Sequence, residues 1–175
     1  MSFLDQFAIQ FAGLKSGSYN FEFAVNETFF EKFTESEIKK GAVNVHIELQ
    51  KQARMMVLLF NLDGSVIITC DRCLDEFSFP FNYQTKLIVT FGKDKRQETE
   101  EIITISESDH EINVAQHIYE FIHLALPMKK IHPDNDNGIS NCNSEVMKKL
   151  KNHTIITSEN KDDSRWEILK NLKFN

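Results

Sequence analysis

The sequence predicts an α+β domain: a mostly antiparallel sheet or partial barrel, one helix following the sheet, and an amphipathic helix at the C-terminus. Three observations carry this. Apolar and polar residues alternate with the period of a strand over most of the chain up to Phe91. The two clearest helical periods come after that point, beginning at Asn113 and at Ser164. A hydrophobic share of 41%, with fifteen Phe in 175 residues, supplies one sizeable core.

The alternation of Phe7, Ile9 and Phe11, and of Tyr19, Phe21, Phe23 and Val25, predicts two half-buried strands joined through Gly13 to Ser18. Asn26 caps a short helix reaching Phe33, with Phe29, Phe30 and Phe33 on one side. Val43, Val45, Ile47 and Leu49 alternate again. Met55 to Leu62 is apolar almost throughout, which predicts a strand covered on both faces. Asp63-Gly64 predicts a type I′ hairpin returning as Val66 to Thr69, straight into Cys70. From Phe77 to Phe91 every odd position except Thr85 is apolar. This predicts one long strand, bent or at a sheet edge near Pro80, which cannot donate to a ladder.

A charged loop over 92–101 precedes a short strand, Ile102 to Ile105. Asn113 and Gln116 predict a capping box. It opens a helix whose stripe (Val114, Ile118, Phe121, Ile122 and Ala125) stops at Pro127. Lys129 to Asn143 reads as a polar loop, and Ser144 to Lys151 as a short helix. Residues 1–151 thus form a β-rich domain, and 152–175 a linker and terminal helix. In that helix, Ser164 and Glu167 make a capping box, and Trp166, Leu169 and Leu172 lie on one side.

The balance of 20 basic against 26 acidic residues, net −6, is a poor basis for holding bare nucleic acid, because counterion release rewards clustered Lys and Arg. RNA contact would need a local patch or a protein intermediary. No uncharged apolar run is long enough to span a membrane, and the N-terminus lacks a basic region before an apolar core. Three cysteines, an odd number, argue against a disulfide framework and for a reduced, cytoplasmic setting.

Those cysteines are the chemistry-bearing feature. Cys70-Asp71-Arg72-Cys73 ends an apolar strand, and His132 and Cys142 follow in a polar loop. Thiolates and an imidazole are what a tetrahedral zinc ion takes, with all four atoms within about 4 Å of one another. Two alternatives stand beside it: a dithiol redox pair, or a buried strand cysteine with an incidental thiol. The redox reading is disfavoured because such pairs open a helix, whereas Leu74-Asp75-Glu76-Phe77 leads into a strand. Asp71, Asp75 and Glu76 would also raise the thiol pKa values, with Arg72 opposing only in part. Of the other histidines, His46 is expected in solvent, His110, His117 and His123 at the surface, and His153 in the linker. Glu98, Glu100 and Glu101 read as a solvated charge run. No nucleophile–base pair is evident, so the expectation is a protein that is not an enzyme.

Cys70-Asp71-Arg72-Cys73-Leu74, after an apolar strand and before alternating aromatics, resembles the hallmark of the YceD family, the large ribosomal RNA subunit accumulation proteins of bacteria and plastids. Further segments match in order: Glu111-Ile112-Asn113-Val114 with Leu124-Ala125-Leu126-Pro127, then His132 and Cys142. Last comes Asp163-Ser164-Arg165-Trp166 through Lys173, similar to a closing "D-P-R-[FW]-x-x-L-x-x-L" segment with Ser164 in place of Pro. The Asn/Asp-rich stretch before Cys142 is longer than in similar loops. The resemblance covers about residues 43–173. It implies a non-enzymatic factor in ribosome biogenesis that supports accumulation of large-subunit (23S) ribosomal RNA through a precursor RNA or an early ribosomal protein. It also favours zinc at Cys70, Cys73, His132 and Cys142. Arg165, Trp166, Leu169, Lys170 and Lys173 are the candidate partner contacts.

Overall fold

The computed structural model describes residues 3–92, 99, 101–135, 138 and 140–154. Its frame is a five-stranded sheet of β2 (Gly17–Val25), β3 (Gly41–Lys51), β4 (Met55–Thr69), β5 (Glu76–Phe91) and β6 (Ile102–Ile105), neighbours in that order. All pairings are antiparallel except β5–β6, which is parallel, and the sheet does not close into a barrel. A separate two-stranded ladder joins β1 (Ala8–Gln10) to β7 (Glu111–Asn113). The helices are α1 (Glu27–Phe30), α2 (Ala115–Leu124) and α3 (Ser144–His153). The α+β class expected from the alternation is the one observed.

Register explains why the alternation is so clean. Leu49, Leu58 and Leu87 occupy one rung, and all three are buried; His46, Asn61 and Gln84 occupy another and face the opposite side. Each fully buried aliphatic side chain contributes about 1.5–3 kcal/mol relative to exposure. The inner face is covered by the Phe-rich first residues, α1 and α2. Phe121 of α2 meets Phe60 of β4 edge-on, with centroids 5.0 Å apart, and Tyr119 stacks on Phe33 at 4.0 Å. Asn26 caps α1 as expected, its side chain accepting from the Phe29 N–H. β5 is one long strand, and β6 pairs with it only over Ile88 to Phe91. Among the described residues no strand lies outside Glu76 to Leu87, so Pro80 sits where a missing N–H is tolerated.

Four expectations are corrected. Asp63-Gly64 is not a hairpin: β4 runs unbroken from Met55 to Thr69, and Gly64 pairs with both Val43 and Phe81. Glycine is required there for a different reason, since a Cβ would overlap the Ala42 carbonyl oxygen and come within 2.7 Å of Val43 Cα. The outer face of β4 is not fully covered: Leu59 is 36% exposed, and Met55, Val57 and Asn61 on the same face are only half-buried. The capping box at Asn113 does not form. Asn113 belongs to β7, its amide accepts from the Ala115 N–H, and Gln116 donates to Glu120 instead. His153 is the last residue of α3 rather than part of a linker. The terminal helix, most of the linker and most of the 92–101 loop lie outside the described residues.

Candidate metal centre

β4 and β5 are held in register to their ends, Thr69 opposite Glu76, so residues 70–75 must reverse the chain in a tight knuckle. The Cys70 N–H donates to the Asp75 carbonyl at 2.9 Å, the Leu74 N–H donates to the Cys70 carbonyl at 2.9 Å, and the Arg72 N–H points at Cys70 Sγ at 3.5 Å. The turn closes with Leu74 in the left-handed region at φ 63. This places both knuckle sulfurs on its inner side, and Cys70 and Cys73 are buried.

Two latches bring the distant ligands to the knuckle. Asp71 and Lys130 bond reciprocally: the Asp71 N–H donates to the Lys130 carbonyl at 2.6 Å, and the Lys130 N–H donates to Asp71 Oδ2 at 2.7 Å. Lys130 Nζ also pairs with Glu37 at 2.6 Å. His132 follows two residues later, its ring 4.6 Å from that of Phe77. The second latch is Asn143, whose amide donates to Asp75 Oδ2 at 3.2 Å while its carbonyl oxygen caps α3. Cys142 is thereby carried inward, and Val146 and Met147 of α3 pack on the cysteines.

The four candidate ligands converge. Cys70 Sγ lies 3.8 Å from Cys142 Sγ, His132 Nδ1 lies 3.4 Å from Cys73 Sγ and 3.8 Å from Cys142 Sγ, and the whole set falls within 4.8 Å. A tetrahedral zinc with ordinary bond lengths requires edges of about 3.8 Å between sulfurs and about 3.5 Å between sulfur and nitrogen. The three edges just given match, and the longest separation exceeds the expected 4 Å by less than the width of an atom. A disulfide is excluded because all three thiols are free and 3.8 Å is far from the ~2.05 Å of an S–S bond. Three buried thiols and a half-buried imidazole form a Cys3His set able to hold a metal ion of zinc's preferences.

The electrostatics point the same way. Burial pushes the Cys70 thiol up, but the N–H groups of Cys73 and Arg72, with His132, outweigh it and bring the pKa down from 9.0 to about 6. This corrects the expectation that neighbouring carboxylates would raise it, because the Asp71 and Asp75 carboxylates are turned to the latches. Cys73 is raised, by burial first and then by the Cys70 and Cys142 sulfurs, against the N–H groups of Asn143 and Asp75. Cys70 is thus the thiol most ready to take the thiolate form that a metal ligand needs.

The other histidines stand apart from this cluster. His46 is exposed, 3.8 Å from Glu22. His117 and His123 are half-buried rather than superficial. Burial lowers the His117 pKa, and His117 Nδ1 and His123 Nε2 are buried with no hydrogen-bond partner among the described residues. Glu101 pairs with Lys86 at 3.7 Å. Arg165, Trp166, Leu169, Lys170 and Lys173 lie outside the described residues. The Asp71–Lys130 latch escaped sequence reasoning because nothing local links residues 59 apart. Asn143 was legible, since an Asn immediately before Ser-Glu is an N-cap signal. No helix among the described residues is long and apolar enough to cross a membrane.

A family model described as "Large ribosomal RNA subunit accumulation protein YceD" matches residues 58–173, a stretch that takes in all four converging side chains. No curated protein and no solved structure matched the chain.

Proposed function

The chain belongs to the YceD family of large ribosomal RNA subunit accumulation proteins, and from that premise we propose that it is a non-enzymatic cytoplasmic factor in ribosome biogenesis. It supports accumulation of large-subunit ribosomal RNA by binding a precursor of that subunit, through the RNA or an early ribosomal protein. The observation that carries this reading is the family match over residues 58–173. Within it, Cys70, Cys73, His132 and Cys142 hold a zinc ion that staples the β4–β5 knuckle to the loop before α3. The terminal segment, with Arg165, Trp166, Leu169, Lys170 and Lys173, supplies the precursor contact.

Recruitment through protein is favoured over direct RNA binding by the net charge of −6. A thiol-redox role is weakened by the knuckle, which leads into β5 rather than a helix, and by the burial of all three sulfurs. The test is deletion of the gene followed by quantification of large-subunit RNA and large subunits. A selective fall in both is expected, and normal levels would remove the proposal. Capture of the tagged protein across a salt series separates the two modes, because direct RNA binding weakens steeply with salt.

A further inference from the structure

α3 gathers positive charge in a chain whose net charge is −6: Lys148, Lys149 and Lys151 stand within one turn, and Glu145 is the helix's only carboxylate. Lysines late in a helix complement its dipole, and that alone would account for Lys151. It does not account for what surrounds them. Ser144, Lys148 and Lys151, spaced as one face of the helix, line a hollow of about 330 Å³ with Met147 and with Ser140 and Cys142 of the preceding loop. Arg72 reaches the same rim from the knuckle, its Nη1 donating to Ser140 Oγ at 3.5 Å. Arg72, Lys148 and Lys151 therefore ring one small cavity. Lys86 and Lys130 have carboxylate partners, whereas none of these three is in an ion pair among the described residues. The neighbouring carboxylates leave them free. Asp71 and Asp75 are bonded to the Lys130 N–H and to Asn143, and Asp134, bridged to Ser140 through the backbone, and Glu145 are exposed to solvent. Cys142 and Met147 give the hollow an apolar floor.

We infer that this hollow takes one nucleotide of single-stranded RNA. An unstacked base lies on the floor of Cys142 and Met147, and the flanking phosphates meet Arg72, Lys148 and Lys151, with the Ser140 and Ser144 hydroxyls as further donors. The cavity lies at the small end of ligand sites, which suits one base. Bases stacked in a duplex cannot enter it, so the strand must be single. An acidic side chain would meet the cations but is too small to cover the floor. The choice of RNA as the polyanion rests on the ribosome-biogenesis reading, and the site adds to the contact proposed for the terminal segment. Three ionic contacts make a weak site, in keeping with recruitment that runs mainly through protein.

The test is the fluorescence anisotropy of a labelled, mixed-sequence, single-stranded oligoribonucleotide titrated with the full chain across a salt series. Each phosphate contact to a single strand contributes about −0.7 to the slope of log K against log salt, so the wild-type slope should be about −2 or steeper. Arg72→Gln, Lys148→Gln and Lys151→Gln should each weaken binding several-fold at low salt and flatten the slope by about 0.7. Lys15→Gln removes the same charge beside Gly17, at the end of the sheet far from the knuckle, and should change neither. All four side chains are exposed, so circular dichroism and metal content should match the wild type. If Arg72→Gln disturbs the knuckle, the two lysine variants carry the test. A wild-type chain that does not bind would overturn the inference, as would lysine variants that bind like it or a Lys15→Gln variant that loses as much. So would poly-glutamate or inorganic polyphosphate displacing the strand as well as unlabelled RNA does. The probe carries no ribosomal sequence, so failure here leaves the deletion test of the family-based proposal untouched, and the reverse holds too.

Discussion

Replacing Cys142 by Ser tests the metal centre where the structure makes it most specific. The ligand set spans 4.8 Å at its widest, against tetrahedral edges of about 3.8 Å, so receiving an ion requires side-chain shifts of roughly 1 Å or less. Little binding energy then goes into ordering the site. Structural zinc binds zinc-finger peptides with about 10–16 kcal/mol near neutral pH. One of four ligands corresponds to about a quarter, roughly 2.5–4 kcal/mol, or a loss of about 10²–10³-fold in affinity. The assay is zinc per chain in freshly purified protein, then affinity by chelator competition. One zinc per chain is expected, with the variant weakened by that factor. Hydrogen exchange should show residues 129–143 loosening before β3 and β4, because that loop is held mainly by the latches and the packing of Val146 and Met147. A folded wild-type protein that takes up no zinc would refute the reasoning, and so would a Cys142→Ser variant that binds as tightly as its parent.

Three further outcomes follow, one at the metal centre and two in the sheet. In metal-free protein the Cys70 pKa is lowered to about 6. Its stabilising contribution is therefore complete above the ordinary thiol value and lost as pH falls through about 6. The melting temperature should drop across that window and the drop should flatten in Cys70→Ser; a thiolate absorbance midpoint left near 9.0 would contradict this. In the sheet, Gly64→Ala should destabilise by about 1–3 kcal/mol because the added Cβ forces β3 away. Asp63→Thr should stay within about 0.5 kcal/mol in denaturant melts, since a mid-strand surface position accepts Thr and a type I′ turn does not.

Strand identity was legible because period-two alternation is a local property. The β2, β3 and β5 expected from the alternation of apolar and polar residues are all present, as is the short β6 expected after the charged loop. The ends of elements were less so. Asp63-Gly64 carries the same local signal in a hairpin and in a long central strand, and pairing to Val43 on one side and Phe81 on the other decided between them. Asn113 is an apt cap in isolation, but β1 claimed it for a ladder.

At the centre, the sequence by itself determined which atoms were available: three thiols and an imidazole, two of the thiols at a strand end. It also determined that the Cys pair would run into a strand rather than a helix. Tertiary structure alone decided that His132 and Cys142 would meet that pair, because the bonds that carry them there, Lys130 to Asp71 and Asn143 to Asp75, link residues far apart in the chain. It alone decided that Cys70 would be the acidic thiol, since N–H groups aimed at a sulfur act over a few ångströms and outweigh carboxylates that are adjacent in sequence but turned away.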